Sequence, residues 1–418
     1  MSGHAHRVVV TGVGVVSAHG LDARSMFSAL MDGHSAISFN TVGAEPYSTN
    51  IASAACHAVQ GSMPLGRSKV TTVDRVSHLS ILAATAAWDD SGLGSLDDQA
   101  RDGACVLIGT AVGGAQSTEH GYRELFVRQR PRLSPLTVVQ CMHNAPAAHV
   151  AQHFNLGGTC FTYSVACASG AAAIVDAVRR IRGGECQLVL AGGTEAALPF
   201  GIVKAWQSMR VLAPAVDQAS ANRACRPFAR DREGMSLGEG AAMLILEERE
   251  HAMARGARIV AELAGIGSSC DPGAITSTAA AGQLRAMRAA LRDAGANPDE
   301  VAYVNAHGTA MADGDLVEID ALRQQFGAHA SQLAVSATKS LHGHLLGASG
   351  AIEAAITAMA VNRGQIPPTG HDAEIDPGCM GVDHVLRIGR EVGHLPLALS
   401  NCFAFGGSNV VLAFCPHA

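Results

Sequence analysis

The chain has little charge and no strong excess of either sign. Of its 418 residues only 16% are charged, with 30 Lys and Arg against 36 Asp and Glu and a formal net charge of −6. Without a basic surplus it is not built around nucleic acid or an anionic membrane, since both attract partners through dense positive charge. Apolar residues make up 48% of the chain at a mean hydropathy of +0.18, which excludes a disordered polymer. Long hydrophobic runs are missing: none reaches the ~18 residues a membrane-spanning helix needs. The stretch Met1-Ser2-Gly3-His4-Ala5-His6-Arg7 enters the apolar Val8-Val9-Val10 without the leader, core and cleavage site of an export signal. The 11 cysteines form no Cys-x-x-Cys pair and no Cys/His array with zinc spacing. A cytoplasmic, reduced protein with no metal site, no nucleic-acid partner and no membrane association is expected.

What is present is an α/β rhythm. A chain of this length exceeds what one hydrophobic core organises, so two domains or two fused halves are expected. Short apolar runs bounded by glycine alternate with longer Ala/Leu/Arg-rich segments. Predicted strands are Val8–Val13, Ala104–Gly109, Leu188–Ala191, Ala242–Glu247, Val301–Asn305, Leu333–Ser336, Leu397–Asn401 and Val410–Phe414; predicted helices include Val76–Asp90, Ser169–Arg182, Gly282–Asp293, Asp315–Phe326 and Gly350–Asn362. A weak internal repeat runs through this pattern. Ala168-Ser169-Gly170-Ala171 opens one helix that ends at Arg182-Gly183, and Ala348-Ser349-Gly350-Ala351 opens another that ends at Arg363-Gly364. Either the two halves are related or the match is a coincidence of small residues.

Cys167, in Ser164-Val165-Ala166-Cys167-Ala168-Ser169-Gly170, stands where that first helix begins. Helix-start N–H groups and the backbone dipole predict a thiol pKa lowered from about 8.5 to roughly 3.5–7.5, as a nucleophile requires. Taken alone, the residue also fits a buried structural cysteine. The second half supplies what a nucleophile would need. His307 follows one predicted strand in Val304-Asn305-Ala306-His307-Gly308-Thr309, and Lys339 and His344 follow another in Ser336-Ala337-Thr338-Lys339-Ser340-Leu341-His342-Gly343-His344. Strand ends are where α/β sheets usually present reactive groups.

With these segments the chain resembles an elongating β-ketoacyl-acyl-carrier-protein synthase of the thiolase superfamily. The resemblance is collinear over nearly the whole chain and includes Val9-Val10-Thr11-Gly12-Val13-Gly14, Leu190-Ala191-Gly192-Gly193-Thr194-Glu195, Phe228-Ala229-Arg230-Asp231, Gly238-Glu239-Gly240-Ala241 and Asn401-Cys402-Phe403-Ala404-Phe405-Gly406-Gly407. It implies a five-layer αβαβα arrangement of two similar halves, 1–255 with the nucleophilic cysteine and 256–418 with the histidines and lysine. It further implies that Cys167, His307, His344 and Lys339 are catalytic and that Asp315 and Glu318 support them, Glu318 pairing with Lys339. By the same resemblance, the backbone N–H groups of Cys167 and Phe405 would form the oxyanion hole, and Thr309, Met311, Phe405 and Thr137 would bind pantetheine or substrate. The implied partners are an acyl carrier protein and a second ketosynthase-like subunit, in a homodimer or heterodimer. No cofactor is implied beyond the phosphopantetheine arm that arrives on the carrier.

Several positions depart from the family pattern. Ser164-Val165-Ala166 stands where Asp-Thr-Ala is frequent, and Met311 replaces a second threonine. Segment 271–281 lacks the usual Pro-Pro and acidic residues, and 133–144 is unusually polar. His342 has no role in the pattern, and Ala404 is a further oddity. Three readings compete: an active condensing enzyme of fatty-acid or polyketide-like synthesis, a non-condensing subunit resembling a chain-length factor, and another acyl-transferring member of the superfamily. Cys167 argues against the second. Paired histidines, and the lack of a Cys-x-Gly motif at Cys402, argue against the third.

Overall fold

The computed structural model describes residues 6–59, 73–94 and 96–417; residues 1–5, which open the N-terminal stretch read for an export signal, lie outside them. Ten strands carry the architecture: β1 (Val8–Val16), β2 (Cys105–Gly109), β3 (Cys160–Tyr163), β4 (Leu188–Glu195), β5 (Gly240–Glu248), β6 (Ala261–Cys270), β7 (Tyr303–Asn305), β8 (Ala334–Ser336), β9 (Ala398–Phe403) and β10 (Ser408–Cys415). From the centre outward the first five run β1-β5-β4-β2-β3 and the second five β6-β10-β9-β7-β8, the same permutation. Directions match as well: antiparallel, antiparallel, parallel, parallel in each half. The halves join edge to edge where Val9 and Val10 of β1 pair with Glu262 and Ala261 of β6.

Helices α1 (Arg75–Ser91), α2 (Ser169–Arg182), α3 (Ala280–Ala294), α4 (Ala312–Phe326) and α5 (Ser349–Arg363) complete five layers. Helices α2 and α5 lie together between the half-sheets, α1 covers one outer face, and α3 with α4 covers the other. Small residues permit this close stacking. A Cβ on Gly12 or Gly14 of β1 would come within 2.2 or 2.0 Å of carbonyl oxygens in α1, and on Gly265 or Gly267 of β6 within 2.3 or 2.0 Å of those in α3. At the centre, Gly170 abuts Ala351 and Gly350 abuts Ala171, so the two Ser-Gly-Ala helix starts touch. The repeat is structural.

Strands β3 and β6 escape the sequence patterns, since Ala261-Glu262-Leu263-Ala264-Gly265-Ile266-Gly267 offers no apolar run and Cys160–Tyr163 is a short, half-exposed edge. A hairpin of Ser38–Ala44 and Tyr47–Ala54, extended by Leu237–Gly238, forms a separate small sheet. Among the described residues no helix is long and apolar enough to cross a membrane.

Candidate active site

The Cys167 turn is built locally. Ala166 adopts φ +46°, a left-handed conformation that costs a non-glycine residue on the order of 1–3 kcal/mol. Ser169 holds it there: its hydroxyl donates to Ala166 O (2.6 Å) and accepts the Val165 N–H (2.9 Å). Gly109, at the end of β2, lets the helix start press against the strand, because a Cβ there would lie 2.1 Å from the Ser169 carbonyl carbon. Cys167 is thereby set just before α2 with its sulfur facing an internal cavity.

Its charge state differs from the sequence expectation. Burial pushes the thiol up to about 11, and the Lys339 charge and the N–H groups of Phe405 and Cys167, both aimed at the sulfur, recover only part of that. Helix-start stabilisation is outweighed because the thiol is buried. The resting residue is a thiol.

His344 approaches from the other half, its Nε2 3.2 Å from Cys167 Sγ. The Leu346 N–H donates to its Nδ1 (3.2 Å), and the Ser349 hydroxyl lies 2.7 Å from the same nitrogen. These contacts assign the imidazole proton to Nε2, facing the sulfur. The backbone of His344 is tied to the small sheet by its N–H to Ser236 O (2.7 Å) and by Gly238 N–H to its carbonyl (2.9 Å). Lys339 orders His307 in the same sense. Its ammonium donates to His307 O (2.6 Å), lies 3.2 Å from His307 Nδ1 and pairs with Glu353. The His307 proton is therefore on Nε2 as well. The two rings stand 5.6 Å apart at 85°. Burial, followed by the Lys339 charge, holds both imidazoles well below their ordinary pKa, so both are neutral. For Lys339 burial works against the charge, but the Glu353 carboxylate keeps its pKa above the usual value.

One predicted pairing is corrected. Lys339 bonds Glu353, whereas Glu318 accepts the backbone N–H groups of His307 (2.9 Å) and Gly308 (2.8 Å) and the Asn401 amide (3.2 Å). The α4 helix presents Glu318 to the loop backbone, while α5 points Glu353 at the ammonium. Asp315, one turn earlier on α4, accepts from Thr309 N (3.1 Å) and Phe228 N (2.7 Å). Both α4 carboxylates thus clamp the His307 loop from within the protein. Burial raises each of them, Asp315 to about 7. Sequence reasoning gave Glu353 no role, although a lone acid in Gly350-Ala351-Ile352-Glu353-Ala354-Ala355-Ile356 was a legible signal. It also passed over Glu195, whose buried carboxylate accepts from Thr110 Oγ1, Ala111 N, Val112 N and Gly347 N and so ties the β2 loop to the His344 turn.

The cavity in front of Cys167 measures about 230 Å³. His307, His344, Thr309, Met311 and Phe405 line it, and Trp206 stacks on Phe405 at 6.1 Å. Thr137 is not brought there. It sits on the short helix Thr137–Cys141, packed on Gly121, and faces a separate polar cavity beside Asp74 and Arg75. His307, Glu353 and Cys402 place ligand-type atoms within 4.8 Å of one another, and the Lys339 ammonium bonds two of the three, supplying the positive charge there.

Comparison with known proteins identifies the family. Residues 5–252 match the family described as Beta-ketoacyl synthase, N-terminal domain, and residues 260–372 its C-terminal domain. The chain is 40% identical over 418 residues to nodulation protein E of a Rhizobium species, covering 98% of each chain. It is 37% identical to 3-oxoacyl-[acyl-carrier-protein] synthase 2 of Synechocystis sp., covering 98% of this chain and 97% of that one. A solved type II PKS acyl-carrier protein in complex with its ketosynthase bound to the hexaketide superposes with a TM-score of 0.88 at 26% identity, over 99% of this chain and 100% of that one.

Proposed function

The chain belongs to the β-ketoacyl synthase family, and from that premise we propose that it joins a Cys167-bound acyl group to malonyl-carrier protein with loss of CO2. The observation that carries this reading is the convergence of a buried thiol, two N–H groups and two neutral imidazoles on one cavity. In the first stage the Cys167 sulfur attacks the thioester of an acyl carrier. The thiol proton ends on the departing pantetheine sulfur, and the N–H groups of Cys167 and Phe405 hold the tetrahedral oxyanion. In the second stage malonyl-carrier protein enters, and its thioester oxygen takes hydrogen bonds from Nε2 of His307 and His344. Its carboxylate leaves as CO2, and the resulting enolate attacks the acyl carbonyl. A β-ketoacyl-carrier product lengthened by two carbons departs, and the Cys167 thiolate takes up a proton. Neutral imidazoles suit this step, because a donor that keeps its proton stabilises an enolate without quenching it.

Lys339 acts as the organiser, holding His307 and sharing its charge with the sulfur. Thr309 and Met311, at the cavity wall, receive the pantetheine arm. Surface features support the partner reading. Phe126, Val138 and Phe161 are 75%, 70% and 53% exposed, and Phe161 lies on β3 at the end of the sheet, apolar surface suited to a second ketosynthase-like subunit, identical or related. Segment 123–132 carries four arginines against one glutamate, a charge pattern suited to an acidic carrier. The same reading divides the chain at residues 255 and 256 and places it in the reducing cytoplasm.

Incubating the protein with acyl- and malonyl-carrier proteins and weighing the carriers by mass spectrometry tests the proposal. A product two carbons longer and an acyl adduct on Cys167 are expected; absence of the adduct would overturn it. Cys167→Gln should lose condensation by more than about 10³-fold while still releasing CO2 from malonyl-carrier protein, since decarboxylation uses the histidines.

A further inference from the structure

Lys339 and His344 are separated by a single tight turn: a short helix, Lys339–His342, and Gly343 at φ +73°. The ammonium at one end must stay on His307 while the imidazole at the other stays on Cys167, so the length and twist of this turn set the spacing of the reacting groups. Its one large polar side chain is His342, which is 1% exposed. The ring touches neither the cavity nor Cys167. Its Nδ1 lies 2.8 Å from Gly343 O, which can only accept, so Nδ1 carries the proton. Its Nε2 lies 3.0 Å from Thr338 Oγ1 and therefore accepts from that hydroxyl. Thr338 immediately precedes Lys339 and Gly343 immediately precedes His344. A single imidazole thus links the residue before each end of the turn. Burial and then the Lys339 charge hold His342 neutral, at about 3, as this pair of bonds requires.

We propose that His342 is a positioning residue of the condensing site, whose imidazole braces the Lys339–His344 turn and so aligns His344 Nε2 on Cys167 while Lys339 remains on His307. This rests on the condensing reading above and adds a residue to it. Leucine at 342 fills similar space with neither bond. Asparagine keeps a donor for Gly343 O, and glutamine keeps an acceptor for the Thr338 hydroxyl. His342 does not line the cavity that receives the carrier arm, so misalignment should fall on turnover rather than on binding. A displacement near 1 Å at a reacting group costs up to about 10²-fold.

The experiment measures kcat and KM for malonyl-carrier protein in wild type, His342→Leu, His342→Asn and His342→Gln, with folded fraction checked by circular dichroism. In folded His342→Leu, kcat should fall about 10- to 100-fold with KM unchanged within twofold, and His342→Asn and His342→Gln should each recover part of the loss. Thr338→Val combined with His342→Asn should cost less than the sum of the two single changes. The brace is overturned if folded His342→Leu keeps kcat within twofold, if only KM changes, or if neither half-bonded variant recovers activity. A wild type that forms no product would overturn the condensing reading instead, so the two failures are distinguishable.

Discussion

The two helix starts at the centre of the molecule share a backbone and differ in task. Cys167-Ala168-Ser169-Gly170-Ala171 and Gly347-Ala348-Ser349-Gly350-Ala351 occupy equivalent places in the repeated strand order. Each is preceded by a residue of positive φ, Ala166 at 46° and Leu346 at 43°. In each, the Ala N–H closes the same turn, Ala168 to Val165 O and Ala348 to Leu345 O, both at 3.0 Å. The strained elbow is therefore a property of the repeat and precedes any chemistry. What differs is the residue placed on it. In the first half the elbow carries Cys167, and its serine clamps the backbone. In the second half glycine takes the cysteine's position, which lets Ala111 approach, and the serine is free to hold His344. One half carries the thiol and the other the imidazole that faces it.

Three experiments press on that division, and the largest effect is expected at Lys339, the cation by which the second half acts on the sulfur of the first. Lys339→Met strips the buried Glu353 carboxyl, which burial already raises to about 7, of its counterion, so it must stay unpaired or take up a proton in the core; unfolding in denaturant above pH 7 should show a loss of about 3–5 kcal/mol, and Glu353→Gln in the same chain should restore much of it. A Lys339→Met protein as stable as wild type would remove the ion pair from the account. Next comes the thiol. With Cys167 raised to about 11, the neutral form prevails below that value, and the iodoacetamide alkylation rate should rise about tenfold per pH unit from roughly pH 7 to 10. A plateau below about pH 8 would mean that the helix start outweighs burial after all. The smallest effects separate the equivalent serines. Ser169→Ala leaves the Val165 N–H unpaired and should cost stability, about 1–3 kcal/mol. Ser349→Ala leaves His344 with the Leu346 N–H and should instead lower kcat by roughly fivefold, about 1 kcal/mol, with little change in melting temperature. Identical outcomes at the two serines would dissolve the comparison.

Much of this was legible in the chain. The helix Ser169–Arg182 is found with both ends as predicted, and Val76–Asp90 and Gly350–Asn362 each extend by one residue at either end. Cys167, His307, Lys339 and His344 do meet, because each lies at or just beyond a strand end of a sheet system whose parallel strands present those ends together. Thr137 lies away from the Cys167 cavity because its segment packs on Gly121, a packing choice that motif order does not encode.

The sequence by itself determined the reactive groups, the strand and helix rhythm and the repeat, because these follow from residue type and local spacing. Tertiary structure alone decided that Cys167 rests as a thiol, that Glu353 rather than Glu318 neutralises Lys339, and that both imidazoles keep their protons on Nε2. Charge and tautomer depend on burial and on partners brought in from other elements, and those distances exist only once the two halves close on each other.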